Sequence, residues 1–184
     1  AEAVDLPYRA VLGGVMWLAV GSRPDIAQAV GELGKYTSRH TVRHFEALQG
    51  LLSYLRGTRG MVLEYKAGVY ESMVPKVFVD ANWAGDVETR RSTTGFIILC
   101  AGAAVSWMSR RQPTVATSTT EAEYMSVSEV VRQVIWTRRL VADFGYPVVG
   151  ATIIRCDNRG AVFLCAGNGD FKRTKHIDIV HHFI

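Results

Sequence analysis

Lys76-Val77-Phe78-Val79-Asp80 and Thr152-Ile153-Ile154-Arg155-Cys156-Asp157 share one signature, a short apolar run that ends in an aspartate. Between them lies a helical pattern over residues 119–144, ended by Gly145, Pro147 and Gly150. Before that helix, after a polar loop at 85–92, two β-prone runs at 95–100 and 104–108 flank Ala101-Gly102-Ala103 and predict a hairpin. Three antiparallel strands, a helix and a further strand predict a mixed α/β sheet. If the two acid-tipped strands are parallel neighbours, Asp80 and Asp157 meet at the edge where open α/β sheets bind ligands. Aspartate is also favoured simply where strands end. The repeated signature around one helix favours a site.

The helix opens Ser118-Thr119-Thr120-Glu121-Ala122-Glu123. Ser118 and Glu121 have the spacing of a capping box, in which Glu121 folds back onto the N-cap amide. At about 100° per residue, Glu123 shares a face with Val127, Val130, Val134 and Val141. Glu121 lies opposite, with Ser128, Arg132, Arg139 and Asp143. Periodicity therefore aims Glu123 at the sheet, where an unpaired charge is costly. Converging carboxylates at Asp80, Glu123 and Asp157 repel one another unless a proton or a cation intervenes. Hard oxygen donors with no obligatory Cys or His suit Mg2+ or Mn2+ rather than zinc. Two such ions about 4 Å apart would clamp the attacking and leaving oxygens of a phosphoryl displacement.

The 184 residues are 48% apolar and 21% charged, which is enough to bury a core and excludes a disordered chain. The net charge of +4 is evenly spread, with 8 basic and 6 acidic residues in 1–70 and 13 and 11 in 71–184. Any nucleic-acid footprint must then come from local clusters. Cys100, Cys156 and Cys165 sit in apolar runs and read as reduced thiols of a soluble intracellular protein. No secretory signal is evident, and the uncharged stretch 92–109 reads as the hairpin, with no membrane involvement. Residues 6–57 read as helices. Pro24 opens one running to about Tyr36, and Thr41 caps another that carries Phe45, Leu48, Leu51, Leu52 and Leu55 and closes at Gly57. Residues 61–65 look strand-like, 68–75 look like a loop, and a boundary is expected near residue 70.

Arg90-Arg91, Arg110-Arg111 and Lys172-Arg173-Lys175 either contact phosphates, with Trp83 and Trp107 as flat apolar surfaces, or solvate hairpin ends. Arg138-Arg139 read as helix surface. Asn158 either hydrogen-bonds a sugar hydroxyl or caps a short helix at 160–166. His176, His181 and His182, near Asp178 on a helix opened by Thr174, point in too many directions for zinc.

Six segments follow one another in order: Val79-Asp80-Ala81-Asn82-Trp83-Ala84-Gly85-Asp86, Arg90-Arg91-Ser92-Thr93-Thr94-Gly95, Val105-Ser106-Trp107, Ser118-Thr119-Thr120-Glu121-Ala122-Glu123-Tyr124, Cys156-Asp157-Asn158-Arg159-Gly160-Ala161 and Lys172-Arg173-Thr174-Lys175-His176-Ile177-Asp178. Together they resemble the ribonuclease H domain of a Copia-type LTR retrotransposon polyprotein. Residues 8–57, with Tyr8-Arg9-Ala10 and Arg23-Pro24-Asp25-Ile26-Ala27, resemble the segment that joins reverse transcriptase to that domain. The resemblance implies a ribonuclease H-like fold in 71–184 after a helical connection in 1–70. It implies two-metal hydrolysis of the RNA strand of RNA–DNA hybrids, with Asp80, Glu123 and Asp157 as catalytic metal ligands. It also implies a reverse transcriptase partner in the same polyprotein and a cytoplasmic particle as the setting. Such domains carry a fifth strand and a last helix with a fourth acidic ligand. Those are expected to be absent from a sequence running to Ile184, which is then either a fragment or a domain short of a ligand, with Asp178 the nearest acid. A hybrid-binding remnant that does not cleave, or a pure connection module, are the alternative expectations.

Overall fold

The computed structural model describes residues 7–66 and 73–167. The chain divides after Leu63 into two compact units.

The first unit holds α1 (Tyr8–Gly21), a 3-10 turn (Pro24–Ile26), α2 (Ala27–Gly34) and α3 (Val42–Gly57). Leu12, Val15, Ile26, Val30, Leu48 and Leu51 form its core. The single helix expected from Pro24 to Tyr36 is instead a 3-10 turn followed by a short helix that stops at Gly34. Arg23 explains the tight turn. Its guanidinium donates to Asp25 at 2.9 and 2.6 Å and to Thr58 Oγ1 at 2.7 Å, and the Tyr54 hydroxyl donates to Asp25 at 3.0 Å. That bidentate pairing ties the turn to the end of α3 and holds the Asp25 carboxyl below its usual range. Thr41 caps α3 as expected, with His44 completing a capping box.

The second unit holds β1 (Lys76–Asn82), β2 (Thr93–Cys100), β3 (Ala103–Arg111), α4 (Thr119–Asp143), β4 (Ile154–Arg155) and α5 (Arg159–Cys165). The strand order is β3-β2-β1-β4, with β4 parallel to β1 and the other pairs antiparallel. This is the expected mixed α/β, ribonuclease H-like sheet. Ala101 and Gly102, both at positive φ (52° and 89°), turn the β2–β3 hairpin. Val127, Val130 and Val134 of α4 pack on Val77, Val79, Phe96 and Ile98, which are the inward alternates of β1 and β2.

Several expectations need correction. Residues 61–65 form no strand; the hairpin is reached instead by the Lys66 amide, donating to Ala101 O at 2.8 Å, and by the Tyr65 hydroxyl, donating to Ala104 O at 2.7 Å. The strand expected over 152–157 shrinks to Ile154–Arg155. The cause is Arg138, which is not a free surface residue. Its guanidinium donates to Thr152 Oγ1 at 2.7 Å and to the carbonyls of Val148 and Gly150 at 2.9 Å each, folding the approach to β4 into a loop. No helix among the described residues is long and apolar enough to cross a membrane. The helix expected from Thr174, the basic run Lys172-Arg173-Lys175, the three histidines and Asp178 lie outside the described residues.

Candidate metal centre

β1 and β4 run in parallel register, with Val77 opposite Ile154 and Phe78 opposite Arg155. Asp80 and Asp157 each lie two residues past the last pair of that ladder. The valine face of α4 then sets Glu123, one turn earlier, over the strand ends. Glu123 Oε1 accepts the Ala81 amide at 3.1 Å, and the Cys156 thiol donates to Oε2 at 3.6 Å. Glu123, Cys156 and Asp157 each place a ligand atom within 4.8 Å of the others. Asp80 is exposed and stands outside that set, yet its charge bears on Glu123.

Glu123 is 5% exposed. Burial pushes its carboxyl up to about 6. Repulsion from Asp80 and Asp157 acts in the same direction, against the Ala81 amide and the Cys156 thiol, which favour the charged form. Burial also pushes the Cys156 thiol up to about 11. No Lys, Arg or His among the described residues pairs with Glu123. A desolvated carboxylate flanked by two more and matched by no cation is a donor set that a divalent ion fits.

The apolar run around Cys156 reads as core, yet the structure sets its thiol beside Glu123 and Asp157. Alternation sends neighbours to opposite faces only within a ladder. The ladder ends at Arg155, so Cys156 and Asp157 can both turn to Glu123. The position directly before the strand-ending acid was the available signal.

Glu121 departs from expectation in its bond and in its burial. Its carboxylate accepts the Thr117 amide and hydroxyl at 2.7 and 2.6 Å instead of the N-cap amide, while Ser118 Oγ accepts the Glu121 amide at 3.1 Å. Every residue from Glu121 to Ser128 is buried, so the polar face expected on α4 begins only later in the helix.

Trp83 donates its indole N–H to Ala116 O at 3.1 Å and leaves its ring half-exposed. The loop that follows is pinned by buried Asp86. One of its oxygens accepts the Thr89 amide and hydroxyl at 2.8 Å, and the other accepts Arg111 at 3.1 Å. This fold of the loop presents Arg90, at φ 55°, as an exposed residue, with Arg91 half-buried beside it. Register sets Thr93 opposite both Asn82 and Arg111, so the arginine loop and the end of β3 share the sheet edge at which β1 ends. Arg110 pairs with Glu129. Asn158 Oδ1 caps α5, accepting the Ala161 amide at 3.0 Å, and its amide nitrogen makes no hydrogen bond among the described residues.

No family model matches the chain, and no solved structure does. Sequence relatives are clear. Over 97% of its length the chain is 37% identical to the retrovirus-related Pol polyprotein from transposon TNT 1-94 of Nicotiana tabacum. Over 96% it is 38% identical to the corresponding polyprotein from transposon RE1 of Arabidopsis thaliana. The chain is homologous to retrovirus-related Pol polyproteins of plant transposons. It spans 13% and 12% of the lengths of those two relatives. A secreted RxLR effector protein 161 of Plasmopara viticola is also similar to this chain, 42% identical over 72% of the chain and 92% of its own length.

Proposed function

We propose that this Pol segment carries the ribonuclease H unit of a Copia-type retrotransposon, an endonuclease for the RNA strand of RNA–DNA hybrids. The observation that carries the reading is the meeting of Glu123 with Asp157 at the shared end of β1 and β4, where the Asp80 charge also bears on it. Asp80, Glu123 and Asp157 would hold Mg2+ or Mn2+, which supplies charge stabilisation at the phosphodiester oxygens when bound. The chain's own residues do the rest. The Ala81 amide fixes one Glu123 oxygen, so the carboxylate stays aimed at the strand ends. Trp83 offers an apolar face to a sugar or base, and Arg90 and Arg91 neutralise phosphates. The Asn158 amide nitrogen would donate to a sugar hydroxyl, the group that distinguishes RNA from DNA. The helical unit would face the reverse transcriptase of the same polyprotein, inside a cytoplasmic particle.

Cleavage of a strand-labelled hybrid in Mg2+ and in Mn2+ tests this reading. Cutting confined to the RNA strand, and abolished by Asp80→Asn, Glu123→Gln or Asp157→Asn, is the expected result. Hybrid bound but uncut in either ion would leave a binding module. Replacing Arg90 and Arg91 by Ala should weaken binding and lower the log–log salt slope by about 0.9 for each phosphate no longer neutralised. An unchanged slope would remove that loop from the interface.

A further inference from the structure

The preassembled ligand set differs from the one expected of a hard-ion site. Glu123, Cys156 and Asp157 are mutually within 4.8 Å, whereas Asp80 is not among them. Metal bonds of about 2.0–2.2 Å to carboxylate and about 2.3 Å to sulfur allow two ligands of one ion to stand at most roughly 4.5 Å apart. The observed triad needs only slight contraction. A thiolate donor selects Zn2+ or Cd2+ and contributes nothing to Mg2+. The nine-tenths-buried Glu123, unmatched by any cation among the described residues, independently asks for positive charge at this point.

We infer that Cys156 is a metal ligand, and that Glu123, Cys156 and Asp157 together form a site for a single thiophilic divalent ion such as Zn2+. Binding replaces the Cys156 S–H···Glu123 contact by a sulfur–metal bond, the thiol proton passes to solvent, and no oxidation state changes. A water completes the shell, as in three-ligand zinc sites. The hard-ion set uses Asp80 where the soft-ion set uses Cys156, and both use Glu123 and Asp157. One therefore excludes the other, which makes zinc a competitor of the Mg2+ on which the proposed cleavage rests. Binding of the soft ion itself needs no nuclease activity, so the two readings can fail separately.

Cd2+ is the probe. Titrated into the full, EDTA-stripped chain under reducing conditions, it should raise a sulfur-to-cadmium charge-transfer band that saturates at one equivalent. Cys156→Ser should abolish the band, while the Cys100→Ser/Cys165→Ser double variant keeps it. Glu123→Gln and Asp157→Asn should each weaken binding by roughly tenfold or more, and excess Mg2+ should lower the apparent Cd2+ affinity. X-ray absorption at the zinc edge of the unmutated protein gives a readout independent of how the variants fold, with one sulfur expected at about 2.3 Å. A shell without sulfur, a band that survives Cys156→Ser, or a band that disappears with Cys100 and Cys165 would each overturn the assignment.

Discussion

Glu123 ties the site to the stability of the fold. Its carboxyl is held at about 6, against 4.5 for an unperturbed glutamate. The folded chain therefore binds more protons than the unfolded chain within that window, and stability falls as pH rises through it. The cost of the charged form above pH 6 is about 2 kcal/mol. In EDTA, Glu123→Gln should be more stable than the parent at pH 8 by about that amount, with the difference vanishing below the unfolded value. Thermal melts across pH decide it, and a less stable Gln variant at pH 8 would contradict the desolvation argument. Gly160 marks the close approach of α5 to α4, where a Cβ would lie 2.8 Å from Thr120 Oγ1 and 3.1 Å from Asn158 Oδ1. Gly160→Ala should cost about 1–3 kcal/mol, and Thr120→Ala in the same chain should recover much of it. Strictly additive costs in a double-mutant cycle would rule out the collision. At this scale the choice of Glu123 over Glu121 as the acid facing the strand ends was legible, because helical period alone separates the two. Cys156 was not, because no period applies once the chain leaves the ladder.

Elements with a long repeat are legible in the sequence. The helix expected at 119–144 is α4 to within a residue, and the hairpin flanking Ala101-Gly102-Ala103 forms as expected. Elements set by one distant side chain are not. Nothing in Thr152-Ile153-Ile154 announces that Arg138 will seize the residues before it, and nothing near Pro24 announces that Arg23 will reach Thr58. Arg138→Ala should therefore cost about 2–3 kcal/mol, since it removes charge-assisted bonds and deprives two carbonyls of their donor. Exposed Arg139→Ala should stay within about 0.5 kcal/mol. Urea unfolding of the two variants compares them directly, and equal losses would deny Arg138 its part in shaping the α4–β4 connection.

At the scale of the molecule, two cores on two stretches of chain imply separable stability. Leu48 is fully buried in the helical core, and Leu48→Ala should cost about 2–5 kcal/mol. Hydrogen exchange should quicken across α1, α2 and α3 while β1, β2 and β3 keep their protection. Equal quickening throughout would mean that the chain melts as one. The sheet also has a border with its own consequence. β3 is nine residues long, and among the described residues it has a strand neighbour on one side only. Such a border is a template on which a foreign strand can add, and proteins blunt it with bulges and charge. Here the register slips at Ile98/Leu99, and the strand ends in Arg110 and Arg111. Both arginines are exposed, and charge at the end of an open strand opposes the stacking of one molecule on the next. Such a guard matters most where copies of the chain are concentrated, because strand addition between molecules rises with concentration.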